Sequence, residues 1–134
     1  MTFHQLVIWL LSFVLPFPFK PWNLHANSYG MPSVLALAFW AGVWAIPLCL
    51  IVRSMPRLRA WAVGAVLGGV VPSLWGFTVL AAIKGQPLFA KGNLGLIAIV
   101  LFINAVWGLG TVVVYRWLQR RYGSGPVVGA MAPT

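Results

Sequence analysis

The sequence predicts an all-α integral membrane protein with four transmembrane helices. Of its 134 residues, 61% are hydrophobic and 7% are charged, and the mean hydropathy is +0.93. The charged residues are nine Lys and Arg, with no Asp or Glu. A soluble domain is about a quarter charged, so this chain lacks the polar surface that keeps a folded protein in water. Soluble globular domains are therefore excluded.

Four apolar stretches are long enough to cross a bilayer: residues 2–19, 33–52, 60–83 and 93–117. A helix rises about 1.5 Å per residue, so about 20 residues span a hydrocarbon core of about 30 Å. The first stretch is the weakest, because it is short and ends with Pro16 and Pro18. All four are too continuously apolar for barrel strands, which alternate over about 10 residues. We expect one transmembrane domain over residues 1–122 and a flexible tail over residues 123–134.

Lysines and arginines are distributed unevenly between the two sides of this four-span arrangement. The side with both termini carries Arg53, Arg57, Arg59, Arg116, Arg120 and Arg121, whereas the other side carries Lys20, Lys84 and Lys91. The excess of basic residues predicts that both termini are cytoplasmic. The chain has a general likeness to small four-span proteins of the bacterial inner membrane, without a family signature, and this membrane is the predicted location.

The second and fourth spans resemble each other at a shift of 63 residues. The identical pairs are Phe39 with Phe102, Val43 with Val106, Trp44 with Trp107, Arg53 with Arg116, and Arg57 with Arg120. This match predicts two tandem helical hairpins, each of two spans, in parallel orientation about an axis along the membrane normal. The alternative is convergent packing of aromatic-rich helices.

A row of small residues and proline recurs every four residues in the third span and therefore lies on one helix face. The row comprises Ala60, Gly64, Gly68, Pro72 and Gly76. Gly64 and Gly68 form the small-xxx-small pattern that lets two membrane helices approach closely. The row predicts either packing on another helix of this chain or a docking face for another subunit.

Aromatic and amide side chains also lie well inside the predicted spans, at Trp40, Trp44, Asn104 and Trp107. Membrane tryptophans usually lie at the interface, so these central indoles need a separate explanation. They either line a slot for a lipid tail, a quinone or a pigment, or fill gaps between helices. Asn104 is expected to form a hydrogen bond with another helix or with a ligand.

The absence of carboxylates removes several chemistries from consideration. General acid–base pairs of carboxylates, Ser-His-Asp triads and Asp or Glu proton relays all require them. No nucleotide-binding, HExxH or CxxC motif occurs, and the sequence predicts neither enzymatic catalysis nor a metal site. The basic residues stand in twos and threes beside the spans, so we expect them to contact anionic lipid headgroups rather than nucleic acid.

Three functions remain open on the sequence. The first is an accessory subunit of a larger respiratory, photosynthetic or transport complex, packing on other membrane subunits or on a second copy. The second is a small passive transporter, channel or lipid flippase built from the duplicated hairpins. The third is a protein that binds a lipid, a quinone or a pigment. No motif identifies a particular cofactor.

Overall fold

The computed structural model describes residues 2–14, 24–25, 30 and 32–122 of the chain, and every element among them is helical. The α-helices are α1 (Thr2–Val14), α2 (Ser33–Val52), α3 (Arg57–Trp75), α4 (Ala81–Ile83) and α5 (Leu94–Tyr122). A π-helix, Gly76–Leu80, joins α3 to α4, and a 3₁₀ segment, Leu88–Gly92, precedes α5.

Three helical segments are long and apolar enough to cross a membrane: Ser33–Val52, Arg57–Ile83 and Leu94–Tyr122. They correspond to the second, third and fourth spans predicted from the sequence, so the chain is a helical membrane protein. The third begins three residues earlier than predicted, at Arg57, and the fourth extends five residues further, to Tyr122. Helix α1 covers 13 residues of the first predicted span, and residues 15–19 of that span lie outside the described residues. The predicted tail, residues 123–134, lies outside them as well.

The closest helix pair is α3 with α5, and glycines make its contact possible. A Cβ atom built on Gly68 would lie 2.5 Å from the Cα of Gly108, and a Cβ on Gly64 would lie 2.5 Å from Cγ2 of Val112. A Cβ on Gly108 would meet the carbonyl oxygen of Gly64. Side-chain-free positions on both helices therefore let the two backbones touch.

Local sequence signals explain where α5 begins and where α3 gives way to a π-helix. Asn93 precedes α5, and its Oδ1 accepts a hydrogen bond of 3.0 Å from the backbone N–H of Leu96, which caps the helix. Pro72 lies inside α3 and lacks an N–H, so the regular hydrogen-bond ladder is interrupted there. The N–H of Gly76 is shared between the carbonyls of Pro72 and Ser73, and the wider π-helix follows.

The hydrophobic core lies in the half of the bundle that carries the arginines. It is formed by Leu48 and Val52 of α2, Ala60 of α3, and Trp107 and Val112 of α5. Helix α1 packs on α5, and the described residues include no close backbone approach of α1 to α2. The first hairpin of the predicted repeat is thus packed differently from the glycine-mediated pair of α3 and α5.

Candidate functional site

A large cavity occupies the other half of the bundle, between α2, the end of α3, the π-helix and the first half of α5. Its volume is about 690 Å³, within the range of roughly 300–1,000 Å³ that is typical of small-molecule sites. We call it the tryptophan cavity, because four indoles of the described residues line it: Trp40, Trp44, Trp75 and Trp107. Most of the other lining residues are aliphatic or aromatic.

Three of the indoles form a cluster at the contact between α2 and α3. The ring centroids of Trp40 and Trp75 are 6.2 Å apart, and those of Trp44 and Trp75 are 6.0 Å apart. Trp40 and Trp44 stand one turn apart on α2, so one ring at the end of α3 reaches both of them. Trp107 is buried on α5 and belongs to both the core and the cavity wall.

A short chain of hydrogen bonds crosses from α5 to α3 at the wall of the cavity. The Nδ2 of Asn104 donates to the Oγ of Ser73 over 2.8 Å, and this hydroxyl donates to the carbonyl oxygen of Gly69 over 2.6 Å. Both Asn104 and Ser73 line the cavity. No donor among the described residues serves the Oδ1 of Asn104, so a ligand hydroxyl or amide has an acceptor at this depth.

The loop before α5 borders the cavity at the end of the bundle opposite to the arginines. Gln86, Pro87, Ala90 and Lys91 of this loop line the cavity. Phe89, Ala90 and Lys91 have φ of 47°, 51° and 55°, a left-handed conformation that is costly for residues with a Cβ. The rings of Phe77 and Phe89 stack with centroids 6.3 Å apart, which holds the loop against the π-helix.

One arginine, Arg116, forms hydrogen bonds between two helices of the bundle. The Nη2 of Arg116 donates to the carbonyl oxygens of Val52, over 2.8 Å, and Met55. Its Nη1 donates to the Oε1 of Gln119 over 3.3 Å. The last carbonyls of a helix have no partner within it, so Arg116 of α5 caps the C-terminal end of α2.

The other five arginines are exposed at the same end of the bundle: Arg53, Arg57, Arg59, Arg120 and Arg121. Two of them lie over indole rings, Arg57 at 4.7 Å from the centroid of Trp61 and Arg121 at 5.4 Å from that of Trp117. Such stacking restrains a guanidinium group while leaving its N–H donors available.

The row of small residues on the third span divides between two roles in the structure. Gly64 and Gly68 face α5, as described above. Pro72 and Gly76 line the tryptophan cavity instead, and a Cβ built on Gly76 would meet no atom within 4 Å. One helix face therefore begins as a helix contact and ends as a cavity wall.

Two further lining residues, Trp75 and Ser73, have a signal in the sequence. Trp75 is a central indole like Trp40, Trp44 and Trp107, and Asn104 inside a span needs a partner on a neighbouring helix. Gln86 and Lys91 have no such signal, because they lie in a loop whose path depends on left-handed backbone conformations that no glycine or asparagine marks at residues 89–91.

No protein-family model, curated protein or solved structure matches the chain.

Proposed function

We propose that this protein binds a hydrophobic molecule of the membrane, of the lipid or quinone class, in the tryptophan cavity. The observation that carries the proposal is a cavity of about 690 Å³ lined by four indoles and by the Asn104–Ser73 pair. Sites for small molecules are typically apolar clefts with a few polar groups that fix orientation. The indoles supply the apolar wall, and the amide supplies a hydrogen-bonding group.

The position of the cavity favours binding over conduction. A passive transporter or channel, the alternative hypothesis, needs a path that opens at both membrane surfaces. The cavity extends towards the loop with Lys91, whereas Leu48, Val52 and Val112 fill the other half of the bundle. Transport would therefore require a rearrangement of the core.

Filling the cavity tests the proposal, and Gly76 offers a position where this is sterically permitted. Its φ is −63°, a helical value that any residue adopts, and the space beside its Cα is open. We expect Gly76→Leu to lower the amount of co-purifying lipid or quinone at least several-fold. The measurement is mass spectrometry of organic extracts of the tagged protein purified in mild detergent.

Gly42→Leu is the matched control. Gly42 is an exposed helical glycine of α2 with no atom within 4 Å of an added Cβ, and it does not line the cavity. This variant should retain the full amount of bound molecule. Equal occupancy in the parent chain and in both variants, or no stoichiometric small molecule in any of them, would contradict the proposal.

A second proposed function is that of an accessory subunit in a larger membrane complex. It is supported by α2, whose 20 residues include only three buried ones, Val34, Leu48 and Val52, while Leu35, Phe39 and Ile46 are more than half exposed. Lipid alone can cover such a face, so the exposed face does not by itself require a partner subunit. The mass and composition of the protein purified in mild detergent distinguish a subunit of a complex from a protein surrounded by lipid. Stoichiometric partner chains on a native gel support the subunit hypothesis, and a monomer or dimer without partners contradicts it.

We further propose a chain of four spans, arranged as two hairpin repeats, with both termini in the cytoplasm of a bacterium. The basis is the positive-inside rule together with the five identities between the second and fourth spans. A reporter that is active only in the periplasm should be silent when fused after Tyr122 and active when inserted at Gly85. The opposite pattern would invert the topology.

The five exposed arginines are the proposed contacts for anionic lipid headgroups on the cytoplasmic side. Each basic residue near such a surface contributes about 1 kcal/mol. Arg116 was included in this group on the sequence, but its donors serve the end of α2. Trp61 and Trp117, the indoles beneath Arg57 and Arg121, favour a position of these arginines at the membrane interface, where tryptophan is enriched.

A further inference from the structure

Among the described residues that line the tryptophan cavity, Lys91 is the one with a cationic side chain. The lining runs from this lysine, beside α5, to Trp107 in the middle of that helix. From Leu96, the first lining residue within α5, to Trp107 the distance along the axis is about 16 Å, at about 1.5 Å per residue. The cavity is therefore elongated, charged at one end and apolar at the other.

Lys91 is exposed at the mouth of the cavity, and no carboxylate side chain of the chain pairs with it, because the sequence contains no Asp or Glu. Its ammonium group is therefore available to an acidic group of a bound molecule. The loop restricts where the charge lies: the Phe77–Phe89 stack and the left-handed turn at residues 89–91 hold the backbone of Lys91 beside the mouth. Such strained conformations persist where the surrounding structure fixes them.

We infer that the ligand of the tryptophan cavity is an acidic amphiphile, such as a long-chain carboxylate, whose head pairs with Lys91 and whose chain lies along the indoles. The inference rests on the proposed binding function and specifies the class of ligand. A charge-assisted hydrogen bond between an ammonium and a carboxylate is roughly twice as strong as a neutral one. The lysine therefore selects an acid over a neutral molecule with the same chain.

Quenching of tryptophan fluorescence by a brominated chain tests this selection, since bromine quenches indoles only at short range. The full chain in a neutral detergent is titrated with dibromostearic acid and, separately, with the methyl ester of the same acid. We expect both probes to quench, with the acid bound about tenfold more tightly. Lys91→Met should raise the Kd of the acid about tenfold and leave that of the ester unchanged.

Lys84→Met is the matched control, because Lys84 is an exposed lysine at the same end of the bundle that does not line the cavity. This variant should bind both probes like the parent chain. Equal Kd values for acid and ester in the parent chain, or equal losses of acid binding in the Lys91 and Lys84 variants, would overturn the inference while leaving cavity binding intact. Absence of quenching by either probe would instead overturn the proposed function, and the inference with it.

Discussion

Replacement of Gly108 by alanine is expected to disrupt the pairing of α3 with α5. The added methyl group would meet the carbonyl oxygen of Gly64, and it would lie 2.8 Å from the Cα of Gly68. Both are backbone atoms, so the clash can be relieved only by moving the helices apart. Overpacking usually costs 1–3 kcal/mol, and we expect a loss of unfolding free energy of about 3 kcal/mol or more here.

The same exchange at Gly76 provides the control. It replaces a helical glycine by alanine in open space, where the change is expected to stabilise the helix by about 0.5–1 kcal/mol. Reversible unfolding of the purified protein in mixed micelles of mild detergent and sodium dodecyl sulfate measures both variants. If Gly108→Ala and Gly76→Ala unfold at the same denaturant fraction, the close contact of α3 and α5 is wrong.

Three of the glycines at the α3–α5 contact, Gly64, Gly68 and Gly108, should also differ among themselves. At Gly64 the nearest atom to an added Cβ belongs to the side chain of Val112 and not to the backbone of α5. At Gly68 and Gly108 backbone atoms are met within 3 Å. We therefore expect alanine to be least damaging at Gly64, and isoleucine to be damaging at either Gly64 or Gly68.

Replacement of Arg116 by methionine is expected to release the end of α2 from α5. Methionine keeps much of the length of the side chain but donates no hydrogen bond, so the carbonyl of Met55 loses the guanidinium donor and that of Val52 keeps only the N–H of Met55. Hydrogen bonds to charged groups contribute about 1.5–3 kcal/mol. We expect a loss of about 1–3 kcal/mol in unfolding free energy, mainly from the carbonyl of Met55.

Arg120→Met removes the same charge one turn later on α5, from an exposed position. Its unfolding free energy should lie within about 0.5 kcal/mol of that of the parent chain, as for other surface substitutions. Arg116→Lys should recover part of the loss, because an ammonium group also donates to carbonyls. Equal stability of Arg116→Met and Arg120→Met would show that the cap contributes nothing.

The two halves of the small-residue row show how far a sequence pattern can be interpreted. Spacing by four places Gly64, Gly68 and Gly76 on one face, and it correctly indicates that this face is special. Which part of the face meets a neighbour depends on the crossing of α3 over α5, and the π-helix Gly76–Leu80 changes the register from Gly76 onwards. The pattern could therefore predict a close helix contact without predicting that its last residues line a cavity.

The arginines illustrate the same limit for charge. All six were assigned to one surface by counting, and the structure places them at one end of the bundle. Counting does not reveal that Arg116 reaches the carbonyls of Val52, the last residue of α2, and of Met55 in the turn that follows, 64 and 61 positions earlier in the chain. That contact requires α2 and α5 to end side by side, which is a property of the packed helices.

The sequence by itself determined that this chain is a helical membrane protein, because backbone groups in lipid must be satisfied within the segment and its apolar stretches are long enough for helices to cross a bilayer. It predicted four such spans, and the structure confirms three helices of this kind among the described residues. The sequence also indicated central indoles and a buried amide that require partners. Only the tertiary structure decided where these side chains meet, namely around a cavity beside a core. Apolar side chains on every face of a span are compatible with lipid, so hydrophobicity does not specify which helix faces contact each other. The shapes of the side chains that pack together specify those contacts.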